Sequence, residues 1–286
     1  MANSNTMIIG CGYLGRRVAT LWHAQGRQVF AVTRRPSSES RATPLVCDVL
    51  DPSSLRNLPA VDTVLYAIGF DRTSGASMRA VYVDGLANVL AHLPAPKRFI
   101  YISSSSVYGQ TDGGWVDETS QTVPMEESGR IVLDAERALR ARLPEAIVLR
   151  FAGIYGPGRL LRRASIEKGE PIVGDADRWL NLIHVEDGAA AILAAEANGE
   201  PGATYNVCDD HPVRRRYFYA TLARRLGAPE PVFMAPPPGQ PIPPHELTHR
   251  RINNRRMKAG LHVRLRYPDY DQGLQVALQC NLQSAI

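Results

Sequence analysis

The sequence predicts an α/β protein: a doubly wound parallel sheet followed by a smaller C-terminal substrate lobe. Three observations carry that prediction. Short, continuous apolar runs of the kind buried on both faces alternate with helical stretches through the first half. A glycine-rich turn joins the first apolar run to the first helix. After Gly158 the alternation loosens. Residues 1–157 therefore read as the sheet domain, and 158–286 as a region that partly returns to the core and partly forms the lobe.

In chain order, strands are expected at Met7–Ile9, Val29–Val32, Leu45–Cys47, Val64–Ala67, Phe99–Ile102 and Ile147–Leu149. Helices are expected over Gly12–Gln25, Ala76–His92 and Met125–Arg142. Right-handed crossovers between parallel strands then place helices on both faces. Further on, Val185–Asn198 reads as a helix, Thr204–Val207 as a returning strand, and Val213–Leu226 as a helix stopped by Gly227 and Pro229. Pro229–Pro244 contains Pro236-Pro237-Pro238 and Pro243-Pro244 and is expected to be an extended surface connector without ladder hydrogen bonds.

Of the 286 residues 44% are hydrophobic and 21% charged, which supplies a large core and excludes a disordered chain. No apolar run approaches the roughly 18 residues of a membrane helix. Met1–Thr6 is polar and lacks the features of a secretory signal. Cys11, Cys47, Cys208 and Cys280 are far apart with no C-x-x-C pair, so neither a metal site nor a disulfide framework is expected, and the expected location is cytoplasmic. The net charge is +5, but the arginine pairs are scattered without interleaved aromatics, which speaks against nucleic acid.

Gly10-Cys11-Gly12-Tyr13-Leu14-Gly15 follows the first strand and opens the first helix. Gly10 suits a tight turn, Gly12 a close approach of the backbone to a pyrophosphate, and Gly15 close helix–strand packing. Phosphates would sit at the helix amino terminus, where unpaired N–H groups favour anions. The second strand ends Thr33-Arg34-Arg35, with no carboxylate to hold adenosine ribose hydroxyls. A guanidinium there can bind a 2′-phosphate, so NADP is expected over NAD.

Three later strings, Tyr101-Ile-Ser-Ser-Ser-Ser-Val-Tyr-Gly109, Leu149-Arg-Phe-Ala-Gly-Ile-Tyr-Gly-Pro-Gly158 and Ile183-His-Val-Glu-Asp187, join the glycine turn in one ordered set. Together they resemble the extended short-chain dehydrogenase/reductases (the NAD-dependent epimerase/dehydratase group), from about Met7 to about Gly273. The resemblance implies a Rossmann fold, adenine contacts at Asp48 and Val49, and a catalytic hydroxyl at Ser104. With Ala67 and Ser103 these complete the candidate cofactor contacts Gly10, Gly12, Tyr13, Leu14, Gly15, Thr33, Arg34 and Arg35. It also implies a small-molecule substrate and a homodimer through the two middle helices, whose surplus apolar residues include Val81, Val83, Leu86, Val89, Leu90, Ile131, Leu133 and Leu139.

The departures are as informative. The family's general acid/base is a Tyr with a Lys four positions on, which shares its helical face. Here Ser128 and Val132 stand at those places, and Tyr82 replaces a usual Asn. A serine titrates far above neutral pH without an adjacent base, and valine carries no charge. Tyr108, in the same loop as Ser104, is the first candidate for the missing proton donor, with Tyr82 and Tyr155 behind it. Arg150 reads as an ion-pair residue and His184 as a structural one. The expected function is an NADP-dependent oxidoreductase or epimerase-like enzyme on a small polar or sugar-derived substrate. The alternative is a catalytically inactive NADP(H)-sensing protein.

Overall fold

The computed structural model describes residues 4–35, 41–237 and 248–283, with 280–283 by backbone alone. Its elements begin β1 (Asn5–Ile9), α1 (Tyr13–Ala24), β2 (Gln28–Thr33), β3 (Thr43–Val46), β4 (Thr63–Tyr66), α2 (Gly85–His92) and β5 (Arg98–Ser104). There follow β6 (Trp115–Val116), α3 (Glu127–Arg142), β7 (Ile147–Phe151), β8 (Gly153–Tyr155), α4 (Arg163–Glu167), β9 (Ile172–Val173), β10 (Trp179–Leu180) and β11 (Leu182–His184). The rest is α5 (Val185–Asn198), β12 (Thr204–Val207), β13 (Val213–Arg214), α6 (Arg215–Leu226), β14 (Phe233–Met234), β15 (Arg251–Ile252), α7 (Arg255–Leu261) and α8 (Tyr270–Gln283).

Seven strands pair in parallel in the order β12-β7-β5-β4-β1-β2-β3. The order reverses between β1 and β4, where a doubly wound sheet opens a crevice beyond the carboxyl ends of its strands. Successive residues of a strand point to opposite faces, and both faces are covered, so β1 is apolar and buried from Met7 to Ile9. Ile8 packs with Leu14, Val18 and Trp22 of α1 and Ile192 of α5. Met7 and Ile9 pack on the other side with Leu86 and Val89 of α2 and Ala135 and Leu139 of α3. Each such side chain, fully buried, contributes about 1.5–3 kcal/mol.

The region after Pro157 divides. The helices α5 and α7 and strand β12 join the sheet core, through Ile192, Met257, Leu261 and Tyr205. A separate cluster, with Ile166 of α4, Phe218 and Leu222 of α6 and Leu274 of α8, makes the lobe.

Two expectations need correction. The helix predicted from Ala76 starts after Ser77, whose Oγ accepts the Ala80 N–H, and makes one π turn over Ala80–Asp84 before α2. Gly85 closes that turn and lets it press on the neighbouring loop, since a Cβ there would lie 2.8 Å from Val49 Cγ2. The proline-rich connector does enter a ladder: Ile172 N donates to Val232 O and Gly174 N to Met234 O, pairing β14 with β9. Prolines lack donors, but the carbonyls between them still accept. The part of that expectation at 238–244 lies outside the described residues. Of the surplus apolar residues on the middle helices, Leu86, Val89, Ile131, Leu133 and Leu139 are buried within the single chain.

Candidate functional site

The glycine turn is built by close contacts. Gly10 has φ +93, and a Cβ there would lie 2.7 Å from Ala67 and Ile68 backbone atoms, so only glycine fits. At Gly15 a Cβ would meet Gly10 O at 2.9 Å and Ile8 Cγ2 at 3.1 Å, which fixes α1 against β1. No atom lies within 4 Å of a Cβ placed at Gly12, so packing does not require a glycine there.

Beside this turn a cavity of about 390 Å³ opens at the sheet's reversal point. It brings together Gly10, Gly12, Thr33, Arg34, Asp48, Val49 and Ala67. Cys47, of the Cys47-Asp48-Val49 string that resembles the adenine contact, lines it too, as do Cys11, Ile68, Phe70 and Asp71, which carried no expectation as cofactor contacts. The loop after β4 carries no local motif that signals a site. Its position is set by the distant Tyr82, whose Oη accepts the Phe70 N–H at 3.0 Å. Arg34 reaches Asp71 at 3.4 Å across the opening, both side chains half exposed.

Other expected cofactor contacts stand elsewhere. Leu14 is 7% exposed in the core under α5, so its side chain faces away from the cavity. Tyr13 sends its hydroxyl to Pro157 O at 2.9 Å. Arg35 is exposed outside the lining. Ser103 is buried and donates to Glu136 Oε1.

The loop after β5 positions Ser104 as the cap of a short 3₁₀ turn, Ser105–Val107. Its Oγ accepts the Ser106 N–H at 3.1 Å, which leaves the hydroxyl hydrogen available. Tyr108 is the clear departure from the expectation of a proton donor. It is 0% exposed, donates to Asn206 Oδ1 at 2.9 Å and accepts from Arg150 Nη1 at 3.0 Å. Arg150 in turn makes a paired bridge to Glu136, Nε–Oε1 3.0 Å and Nη2–Oε2 2.7 Å. Tyr108 thus belongs to a buried polar strut between α3, β7 and β12, and burial pushes its phenol up. Glu136 and Asn206 went unmarked in the sequence because their partners are remote in it.

Tyr155 is also fully buried, against His184 and the lobe core, with its phenol pushed up by burial and by Asp209, Asp187 and Asp269. Tyr82 is half-buried and packs beside the cluster that contains Val107 and Val132. Burial pushes its phenol up as well. Ser128 lies in the first turn of α3 with its Oγ on Glu126, while Val132 is buried in the core. His184 caps α5: its Nδ1 accepts the Glu186 N–H, and burial pushes the imidazole down to about 4, so it is neutral. Asp187 accepts the Arg266 and Tyr267 N–H groups, each at 2.8 Å.

A second cavity, of about 280 Å³, adjoins the Ser104 loop on the lobe side. Ser105, Asn181 and four arginines line it, with Arg250 Nη2 bonded to Ser105 O at 2.8 Å. Burial pushes the Arg250 guanidinium down to about 10.

A parallel sheet reversing at β1/β4, a glycine turn at that point and a cavity beside it define a Rossmann-type nucleotide-binding fold. The model of the NAD dependent epimerase/dehydratase family matches residues 6–208, and the chain belongs to that family. It is 35% identical over 246 residues to the Escherichia coli protein YeeZ, covering 79% of this chain and 85% of that one. It is 24% identical over 257 residues to the dTDP-6-deoxy-L-talose 4-dehydrogenase (NAD(P)(+)) of Kitasatospora kifunensis, covering 80% and 81%. A solved structure of a conserved protein from Silicibacter pomeroyi superposes with a TM-score of 0.79 at 31% identity, covering 97% of this chain and 99% of that one. Among the described residues no helix is long and apolar enough to cross a membrane.

Proposed function

We propose that the protein is an NADP-dependent reductase or epimerase-like enzyme acting on a carbonyl of a small, sugar-derived substrate. Its family and its similarity to a dTDP-sugar dehydrogenase support the class. The observation that carries the cofactor choice is Arg34 in the lining of the cavity, at a strand end where Thr33 replaces a carboxylate. Asp71 now holds Arg34 through one contact at 3.4 Å, and a 2′-phosphate offers the guanidinium a more highly charged, two-point partner. The open space where a Gly12 Cβ would stand leaves room for the pyrophosphate at the α1 terminus.

NADPH, when bound, supplies a hydride. Ser104 donates its free hydrogen to the substrate oxygen as charge develops there. In this reading Tyr108 is structural and the proton donor is Tyr82. Its Oη accepts from Phe70 and keeps its own hydrogen, the one a donor in the reductive direction would deliver.

A screen of sugar ketones and aldehydes under NADPH tests this. Ser104→Ala is expected to lower the rate about 10²-fold or more. Tyr82→Phe is expected to lower it roughly 10²–10⁴-fold, the scale of a general acid, while Tyr108→Phe acts on stability instead. A rate indifferent to both Ser104 and Tyr82 contradicts the assignment. The sensing alternative draws its support from Val132, buried where the resemblance expects a lysine. Tight NADPH binding with no oxidation across the screen selects that alternative.

A further inference from the structure

The cavity at the sheet's reversal point carries opposite charges on two of its walls, Arg34 just after β2 and Asp71 in the loop after β4. The two side chains meet at 3.4 Å, each half exposed. An exposed pair of this kind adds little to the stability of a fold, and here it stands between Arg34 and a ligand. The guanidinium it occupies is the one that faces the 2′-phosphate in the reading above. Thr33 gives its hydroxyl hydrogen to Arg35 O at 2.9 Å, within the turn itself.

Asp71 is fixed in place independently of Arg34. Its Oδ1 accepts the Thr73 N–H at 2.9 Å and the Thr73 hydroxyl at 2.6 Å, while Oδ2 is the oxygen that meets Arg34. Its carbonyl accepts from Ser74, at 2.7 Å from Oγ and 3.1 Å from N. One residue earlier, the Phe70 N–H is tied to Tyr82 Oη. A carboxylate anchored in this way does not swing aside when Arg34 takes another partner. The Thr73 bonds, with Arg34 and Arg35 adding to them, hold its carboxyl below the usual range, so it is charged at neutral pH.

A 2′-phosphate at Arg34 therefore displaces a charge pair and comes to lie beside a fixed carboxylate, and like charges this close repel. A ribose with free hydroxyls does neither and leaves the bridge closed. We propose that Asp71 is a cofactor-specificity residue set against Arg34: it holds the guanidinium in the empty protein, opposes the 2′-phosphate in the complex, and so limits the preference for NADP over NAD. This role rests on the NADP reading of Arg34 and sets the size of that preference.

Titration calorimetry of the full chain with NADPH, NADH, 2′,5′-ADP and ADP tests it, at one fixed ionic strength. Asp71→Asn keeps the side-chain volume and an acceptor for Thr73, and calorimetric melting confirms its fold. It is expected to tighten NADPH and 2′,5′-ADP about three- to tenfold and to leave NADH and ADP within about twofold. In an Arg34→Ala background the same substitution is expected to lose most of that gain, since no guanidinium remains to be released. Asp71→Asn that leaves NADPH unchanged or weaker, while Arg34→Ala does weaken it, overturns the role of Asp71 and spares the NADP reading. Arg34→Ala without effect on NADPH fails the NADP reading and removes this role with it. An undiminished gain in the Arg34→Ala background overturns the competition for Arg34 and leaves a general charge effect. NADH weakened by Asp71→Asn overturns the role in favour of a carboxylate that holds the ribose hydroxyls.

Discussion

Asp209 is 2% exposed, and its Oδ2 meets no donor. Burial, with Asp210, Asp269 and Asp187 adding to it, pushes its carboxyl well above the usual range. In the unfolded chain the same group ionises at ordinary acidity, so the folded state binds the extra proton. Its contribution to stability is therefore present at low pH and lost as pH rises toward the folded-state value. Asp209→Asn is expected to raise the Tm more at pH 8 than at pH 5, measured by calorimetric melting, whereas an equal gain at both would refute the assignment. The residue scale also shows where sequence proximity misleads. Tyr108 and Ser104 share a loop, but the 3₁₀ turn between them sends the Tyr108 ring inward to Asn206, 98 positions away. Arg34 was legible because it directly follows a strand that ends beside the sheet's crevice, and it lines the cavity there. Asp71 and Phe70 were not, because a phenol from the π turn sets their loop.

At the scale of elements, the alternation of apolar strands and helices was readable because a sheet covered on both faces tolerates few polar residues in its strands. What ties the elements together was not. Glu136 of α3 and Arg150 of β7 form a bridge whose side chains are 8% and 9% exposed, and Ser103 and Tyr108 close the network around them. Each polar group has a partner, which is the condition under which a buried pair is tolerated. Glu136→Gln leaves the Arg150 charge buried with a neutral neighbour and is expected to cost about 3–5 kcal/mol in urea unfolding. A loss below about 1 kcal/mol would mean that water or another carboxylate replaces Glu136. The π turn over Ala80–Asp84 was likewise hidden, because its apolar spacing resembles that of an ordinary helix.

Over the whole molecule, the sheet domain supplies the cavity at the β1/β4 reversal, and the lobe brings Arg178 and Arg250 to the Ser104 loop. The first arrangement was legible from the glycine turn. The second depends on residues 70 or more positions apart, whose spacing carries no signal. Titration calorimetry with NADPH and NADH tests most directly whether Arg34 selects NADP. NADPH is expected to bind more tightly than NADH, and Arg34→Ala to weaken NADPH by about 1–3 kcal/mol while leaving NADH nearly unchanged. Equal affinities of the native protein for the two cofactors would contradict it.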